Sequence, residues 1–583
     1  MILTRLHQCA LILLAATGNA LAQDRPAPEL LAHQPLRLAL HALATEHPTR
    51  IQLLSVGTSR AGRQIDALRF TGSEPVGAEP ALLVVANLEG PQVYTSALAL
   101  DLARRFAADE GELPTLLANT TVYIIPRANP DGAQARFEKP LMERLATGAG
   151  VDNDRDGRSG EDSPSDVNGD GLLSQMRVLD PAGTWIEDPL DPRAMTLADT
   201  QRGELGRYKL LVEGRDSDGD GEVGEDPLLD ARMDQNFPQE WPEHTPSAGL
   251  FPTDEPEARA LAEFVLHHRD IGLVLVVGAQ DNLAEAPSTV SEGAAKGKRI
   301  PPPGMLETDA KLLASLARQL EEAGVEAKPG DKSRAGTFQS WCEAQRGLPT
   351  VSLQLWETPS AEQEAKTEDS NDAQKTPDEE QEQPTTEEAS AAPSKKDKPD
   401  RKPSETVKAL AWIDRSGEAS RFVPWTSFDH PELGPLEIGG LAPYALVEPP
   451  LEELPGLAVQ LSQALPILAA ALPRATISSF TARDLGNQLF ELKAAVSNNA
   501  LLPLRSAAAL RARTPRPLRL HLTLPAGASV LAGEPIQSVD NLTGSGGREE
   551  LRWLVRCTDP TTITLRAQAD HVGQTSAQPE LIQ

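Results

Sequence analysis

The chain has 583 residues and a net charge of −30, long enough for two or three domains with sizeable cores. The acidic excess argues against nucleic acid as a partner. It is also uneven: acids outnumber bases 7 to 2 in 152–170, 8 to 1 in 213–230 and 13 to 7 in 358–404, which leaves the remainder mildly acidic and points the first two stretches toward cation binding.

Residues 1–22 read as a secretory signal. Arg5 supplies the positive region, Ala10 to Ala16 the apolar run, and Ala20-Leu21-Ala22 the small-residue cleavage site. The mature chain is therefore expected to be extracytoplasmic, either periplasmic or secreted. The apolar run is too short to span a bilayer, and no later segment reads as a span. Cys9 leaves with the signal. Cys342 and Cys557 fall in different predicted domains, so two buried thiols are expected rather than a disulfide.

Leu36 to Ala44 has helical periodicity, and Ile51 to Val56 and Ile65 to Phe70 read as strands around a turn at Gly57 to Arg63. Ala81 to Ala86 is a fully apolar strand closed by Asn87-Leu88-Glu89-Gly90-Pro91-Gln92. A helix follows it, with Leu98, Leu102 and Phe106 on one face. Thr121 to Pro126 is another buried strand and ends in the turn Asn129-Pro130-Asp131-Gly132. Strand, helix, strand in this order predicts a parallel unit with its ligand site at the carboxyl ends of the strands.

Three acidic loops follow. Asp152, Asp154 and Asp156 with Asp162, then Asp166, Asn168 and Asp170, then Asp216, Asp218 and Asp220 with Asp226, place oxygen ligands at alternate positions before a glycine. This is the opening half of a calcium loop, and its repetition makes calcium the expected cofactor. The closing glutamate of a full EF-hand is absent: Ser163, Arg177 and Pro227 stand there.

A helix from Glu255 to His268, a buried strand from Gly272 to Val277, helices at Leu312–Ala323 and Phe338–Gln345, and a strand from Thr350 to Leu355 come next. Residues 358–404 are too polar to fold and read as a disordered loop. Leu451 to Leu472 is helical, and the alternating patterns after residue 475 predict a small β-sandwich. The expected domains are 35–475, with acidic insertions at 150–230, and 476–583.

Taken together, several motifs resemble the zinc metallocarboxypeptidases of the carboxypeptidase A/B type. They are Ser59 to Arg63 with Ile65, the strand-turn-helix at 81–106, Pro126 to Gly132, Asn236-Phe237-Pro238 and the Trp341 to Leu355 region. Phe422 to Trp425, Asp429-His430-Pro431 and Ile438 to Gly440 are similar to a bacterial branch with a C-terminal β-domain. The resemblance implies an α/β fold with a mixed, mostly parallel eight-stranded sheet flanked by helices. It also implies a zinc held by His, Glu and His. The corresponding positions are Glu89, Gln92 and Gly278, and 272–284 contains no histidine, so zinc is not expected. The family's base corresponds to Gln354, an amide that takes no proton from water. The pair that grips the substrate carboxylate corresponds to Asp234-Gln235, which would repel it.

The resemblance thus implies a pseudopeptidase that binds a peptide or protein. Two alternatives stand beside it: an active carboxypeptidase with a rearranged zinc site, and a calcium-dependent structural module. Glu89 with Asp234 could also form a carboxylate pair or cation site. His267, His268, Asp270 and His430 read as structural.

Overall fold

The computed structural model describes residues 26–72, 79–145, 147, 163–216, 223, 231–295, 300–359 and 402–582. Helix α1 (His33–Glu46) precedes β1 (Ile51–Thr58), β2 (Gln64–Phe70) and β3 (Ala81–Ala86). Helix α2 (Val93–Ala107) links β3 to β4 (Thr121–Ile125). After the acidic region come α3 (Pro256–His267), β9 (Ile271–Val277), α4 (Glu307–Glu322), α5 (Phe338–Arg346) and β12 (Thr350–Leu353).

These strands form one sheet in the order β1-β2-β4-β3-β9-β12. The pairs β3–β4, β3–β9 and β9–β12 are parallel, whereas β1–β2 and β2–β4 are antiparallel. Every residue of β3 and β9 is buried, as expected for strands covered on both faces. One face carries Leu82, Val84, Leu273 and Leu275 into a core with α2 and α4. The other carries Leu83, Val85, Val274 and Val276 onto α3 and α5.

Among the described residues the sheet has six strands where eight were expected. On the β12 side there is a direct reason. Asn282 accepts a hydrogen bond from the Ser352 backbone N–H (2.8 Å) and donates through Nδ2 to the Thr350 carbonyl (2.9 Å), so the outward groups of β12 are already paired.

A second, antiparallel sheet was not foreseen. It is built from β5 (Gln175–Leu179), β6 (Trp185–Glu187), β7 (Met195–Leu197), β8 (Tyr208–Val212), β13 (Phe422–His430) and β14 (Gly434–Leu441), in the order β13-β14-β5-β8-β6-β7. Ile438 lies opposite Met176, and both belong to a small apolar cluster with Leu436. Arg177 ties the sheet together: it pairs with Glu437 at 2.8 Å and lies over the Trp425 ring at 4.6 Å.

Helix α6 (Glu405–Ser416) leads into β13. Helix α7 (Leu454–Ala471) belongs to a helical stretch, Leu451–Ala471, long and apolar enough by length and composition to cross a membrane, which the sequence reading passed over. Half of that stretch is buried within the protein, with Leu457, Leu461, Leu465 and Leu468 in the main core. Beyond residue 475 the chain is β-rich, with a five-stranded and a four-stranded sheet sharing one apolar cluster that includes Leu492, Leu520, Leu565 and Trp553. Asp309 of α4 accepts from the Ala507 and Ala508 N–H groups at 2.8 and 2.9 Å, capping helix α8 (Ala507–Ala512) of this region. Cys342 and Cys557 are both buried free thiols.

Candidate functional site

The carboxyl ends of β3, β9 and β12 lie side by side, since Ala86 is registered with Val277 and Val277 with Leu353. The turn after β3 therefore faces Gly278 and Gln354. Its geometry is fixed from below. Asn87 takes a positive φ of 56° and holds the turn by donating to the Glu89 carbonyl at 2.8 Å. Gly90 must be glycine, because a Cβ there would stand 2.7 Å from the Gly132 Cα. Asn129 accepts from the Gly132 N–H at 2.9 Å and donates to the Leu88 carbonyl at 3.3 Å, so the two turns lock together.

The next turn is held by the same corner. Asp131 accepts from the Ser59 hydroxyl (2.7 Å), the Ala61 N–H (2.8 Å) and Arg63 (2.8 Å). Glu255 pairs with Arg60 at 2.8 Å. These motif residues are scaffold.

The cleft floor is different. Glu89 is partly buried, while Gln92 and Asp234 are buried. Glu89 Oε2, Gln92 Oε1 and Asp234 Oδ2 are each enclosed and have no hydrogen-bond partner among the described residues. Asp234 Oδ1 accepts from the Phe338 N–H at 2.7 Å, at the start of α5. Burial pushes the Glu89 carboxyl up to about 7, with Arg232 opposing and Asp331 adding to the shift. Burial, then the charge of Glu89, raises Asp234 well above the ordinary carboxylate range. Gln235 turns its Oε1 to the Ser247 hydroxyl at 2.6 Å.

Gln354, at the end of β12, donates to the Trp356 carbonyl at 3.1 Å. A segment around Pro329-Gly330-Asp331 lies across it: the Lys328 N–H donates to the Gln354 carbonyl at 2.7 Å, and the Asp331 N–H to the Ala279 carbonyl at 2.8 Å. A Cβ on Gly330 would meet Gln354 Oε1 at 2.8 Å. Arg232, Gly330 and Asp331 were missed from sequence, and the Pro-Gly-Asp turn was the available signal.

The other candidates lie elsewhere. His267 and His268 bond through Nδ1 to the Glu263 and Phe264 carbonyls at the end of α3 (2.7 and 2.8 Å), and Asp270 accepts from the Tyr123 hydroxyl at 2.8 Å. His430 is buried and bonds the Gly214 carbonyl at 2.9 Å.

Asp152, Asp154, Asp156, Asp162, Asp218, Asp220 and Asp226 lie outside the described residues. In the described loop, Asp166 accepts from the Gly169 (2.7 Å), Asp170 (3.2 Å) and Gly171 (2.8 Å) N–H groups, Asn168 Oδ1 from that of Asp170 (2.8 Å), and Asp170 from that of Leu172 (2.8 Å). Asp216 is described, whereas the rest of its acidic loop is not. Among the described residues no three His, Cys, Asp or Glu side chains are grouped to hold a metal ion, so the expectation of calcium gains no support.

Residues 37–188 match the family model described as zinc carboxypeptidase. The similarity to zinc carboxypeptidases that this model registers lies in residues 37–188. Residues 474–579 match a model described as a domain of unknown function (DUF8731). A zinc carboxypeptidase of Saccharothrix mutabilis subsp. capreolus is 29% identical over 99 residues, 16% of this chain and 23% of that protein. Mouse carboxypeptidase A1 is 31% identical over 94 residues, 15% of this chain and 22% of that protein. The matches thus span about a quarter of the length of these relatives. The solved carboxypeptidase A of Helicoverpa armigera aligns with 60% of this chain and 73% of that chain, at 16% identity and a TM-score of 0.35. The carboxypeptidase-like part of the chain is α/β with a mixed sheet and flanking helices, followed by a β-rich C-terminal region.

Zinc is the metal this family implies. At the corresponding positions the domain offers a carboxylate (Glu89), an amide (Gln92) and no side chain (Gly278). That all-oxygen set does not fit zinc, whose protein sites combine Cys, His and carboxylate. No catalytic step is derived through it.

Proposed function

We propose that the chain is an exported, non-catalytic member of the zinc carboxypeptidase family that holds a peptide in the cleft without cleaving it. The observation that carries the reading is the group of side chains at the carboxyl ends of β3, β9 and β12. By the family resemblance, Glu89, Gln92 and Gly278 take the positions of the zinc donors and Gln354 that of the base. An amide cannot deprotonate water at neutral pH. Gln354 is also bonded to the Trp356 carbonyl with Gly330 against its other atom. Asp234 offers no positive charge where a substrate carboxylate would need a cation, so the site does not suit a C-terminal residue.

Export follows from the pattern of residues 1–22 and belongs to the same proposal. The expected β-sandwich likewise stands as a proposal for the paired sheets beyond residue 475.

The test is elemental analysis of the mature protein after dialysis in trace-metal buffer, paired with an assay for release of C-terminal residues. The expected result is far less than one zinc per chain and no release. One zinc per chain with chelator-sensitive release would overturn the proposal in favour of an active enzyme.

A further inference from the structure

We propose that the exposed face of the second sheet is a docking surface for a basic segment of another protein, one that carries lysine or arginine side chains beside aliphatic ones. Its residues are not those of the cleft, and it is independent of what the cleft holds.

One row of side chains crosses four strands. Leu179 of β5 is registered with Tyr208 of β8, Tyr208 with Trp185 of β6, and Trp185 with Leu197 of β7. Residues directly opposite one another in an antiparallel sheet share a face, so these four lie side by side. The reverse face is occupied: Met176 and Ile438 are buried in an apolar cluster against which Val178, Leu211 and Phe428 pack. The row itself is open. Leu179 and Leu197, at its two ends, are 70% and 56% exposed, and Tyr208 and Trp185 between them are half-buried. Single exposed leucines are ordinary, whereas a contiguous apolar row rimmed by charge is the kind of surface that docks a partner.

Beside the row, Arg177, Leu179, Tyr208, Ser427, Asp429 and Glu437 line a groove of about 720 Å³, a volume in the range of small-ligand sites. Charge selects the occupant. Arg177 pairs with Glu437 at 2.8 Å and Glu187 at 3.3 Å, and lies over the Tyr208 ring at 5.4 Å. Its side chain is only 8% exposed, so the guanidinium is spent on the sheet, while Glu187 and Glu437 remain 42% and 35% exposed. Asp429 is exposed as well. Along these strands the face therefore sets three carboxylates against one guanidinium. An acidic rim around apolar side chains complements a partner that is both basic and apolar, and disfavours an acidic one. The row spans three strand spacings, roughly 14 Å, which is longer than one side chain and calls for a segment rather than a lone cation.

The experiment is calorimetry on the mature full chain with three octapeptides blocked at both ends: alternating leucine and lysine, the same with glutamate in place of lysine, and the same with glycine in place of leucine. The leucine–lysine peptide is expected to bind and the glutamate peptide not to bind. The glycine peptide should bind about tenfold more weakly or worse, because it leaves the apolar row uncovered. Leu179→Ser with Leu197→Ser should weaken the leucine–lysine peptide about tenfold, and Asp429→Asn severalfold. All three positions are exposed, so the fold should hold, which an unchanged melting temperature checks. Leu179→Ala alone, with a smaller loss of binding, serves if the double variant fails to fold.

Weaker binding by these variants at an unchanged melting temperature would support the docking surface. Binding that none of them alters would place the peptide elsewhere, the cleft included, and would overturn the proposal while leaving the reading of the cleft intact. Equal binding of the lysine and glutamate peptides would overturn the choice of a basic partner. Binding of no peptide would overturn the proposal outright, and binding of phosphatidylcholine vesicles in their place, lost in the leucine variants, would assign the face to a lipid surface instead.

Discussion

Two neighbouring regions of the same sheet end treat buried carboxylates in opposite ways. At the corner formed by Ser59 to Arg63 and the Asn129 to Gly132 turn, Asp131 has three donors and Glu255 a guanidinium. Around the turn after β3, Glu89 and Asp234 each leave an oxygen without a partner among the described residues, and the charge of Glu89 adds to the upward shift of Asp234. A satisfied network holds a fold in place, whereas an unsatisfied one is costly unless something else completes it. The contrast separates a corner whose carboxylates are fully paired from positions whose carboxylates are not.

The strongest way to break the contrast is to convert the floor to a zinc site. Glu89→His, Gln92→Glu and Gly278→His together restore the donor set that the family resemblance implies. A Cβ at 278 meets nothing closer than Gln92 Oε1 at 3.4 Å. The triple variant should keep about one zinc per chain through dialysis, while the parent keeps little. Failure to retain zinc would mean that these three positions do not converge.

The corner is tested by Asp131→Ala. It removes the acceptor of three donors and leaves Arg63 only its longer contact with Glu138 (3.6 Å), so a loss of about 1–3 kcal/mol is expected, read as a lower midpoint in chemical or thermal denaturation. A loss below 1 kcal/mol would show that the corner is not the anchor described here.

Glu89→Gln has an effect of similar size, and its sign is opposite. The Glu89 carboxyl is pushed up to about 7 in the folded chain, above its value of about 4.5 when unfolded. The folded state therefore binds the proton more tightly, and the penalty for charging it grows as pH rises from about 4.5 to 7. The variant should be more stable than the parent by about 1–3 kcal/mol at pH 8, with the gain vanishing toward pH 4. Equal melting temperatures across that range would remove the unpaired-carboxylate description.

Sequence alone made part of this visible. Ala81 to Ala86 and Ile271 to Val277 are unbroken apolar runs, and such runs have one comfortable location, between two covered faces. The turn residues after them marked the site end of the sheet. The second sheet escaped because its strands are short, sit among acidic loops and find partners far along the chain: Arg177 is registered with Glu437. No local periodicity encodes such a pairing. The family resemblance drew attention to Gln354, but the segment at Lys328 to Asp331 that lies over it could not be foreseen. Its contacts are backbone hydrogen bonds, which any residue can make. The acidic loops show the reverse case. Their carboxylate spacing suggested an ion, yet in the described loop Asp166 and Asp170 serve the loop's own backbone.

Asn282 has a consequence beyond the strand count. An uncovered β12 would present a row of free donors and acceptors, which is the template on which a second chain adds a strand and oligomers grow without limit. Here one amide side chain plays the part of that incoming strand at both Thr350 and Ser352. At this edge of the mixed sheet a single side chain thus takes up the backbone groups that a further strand would pair, in place of the charged or proline residues that often guard an edge.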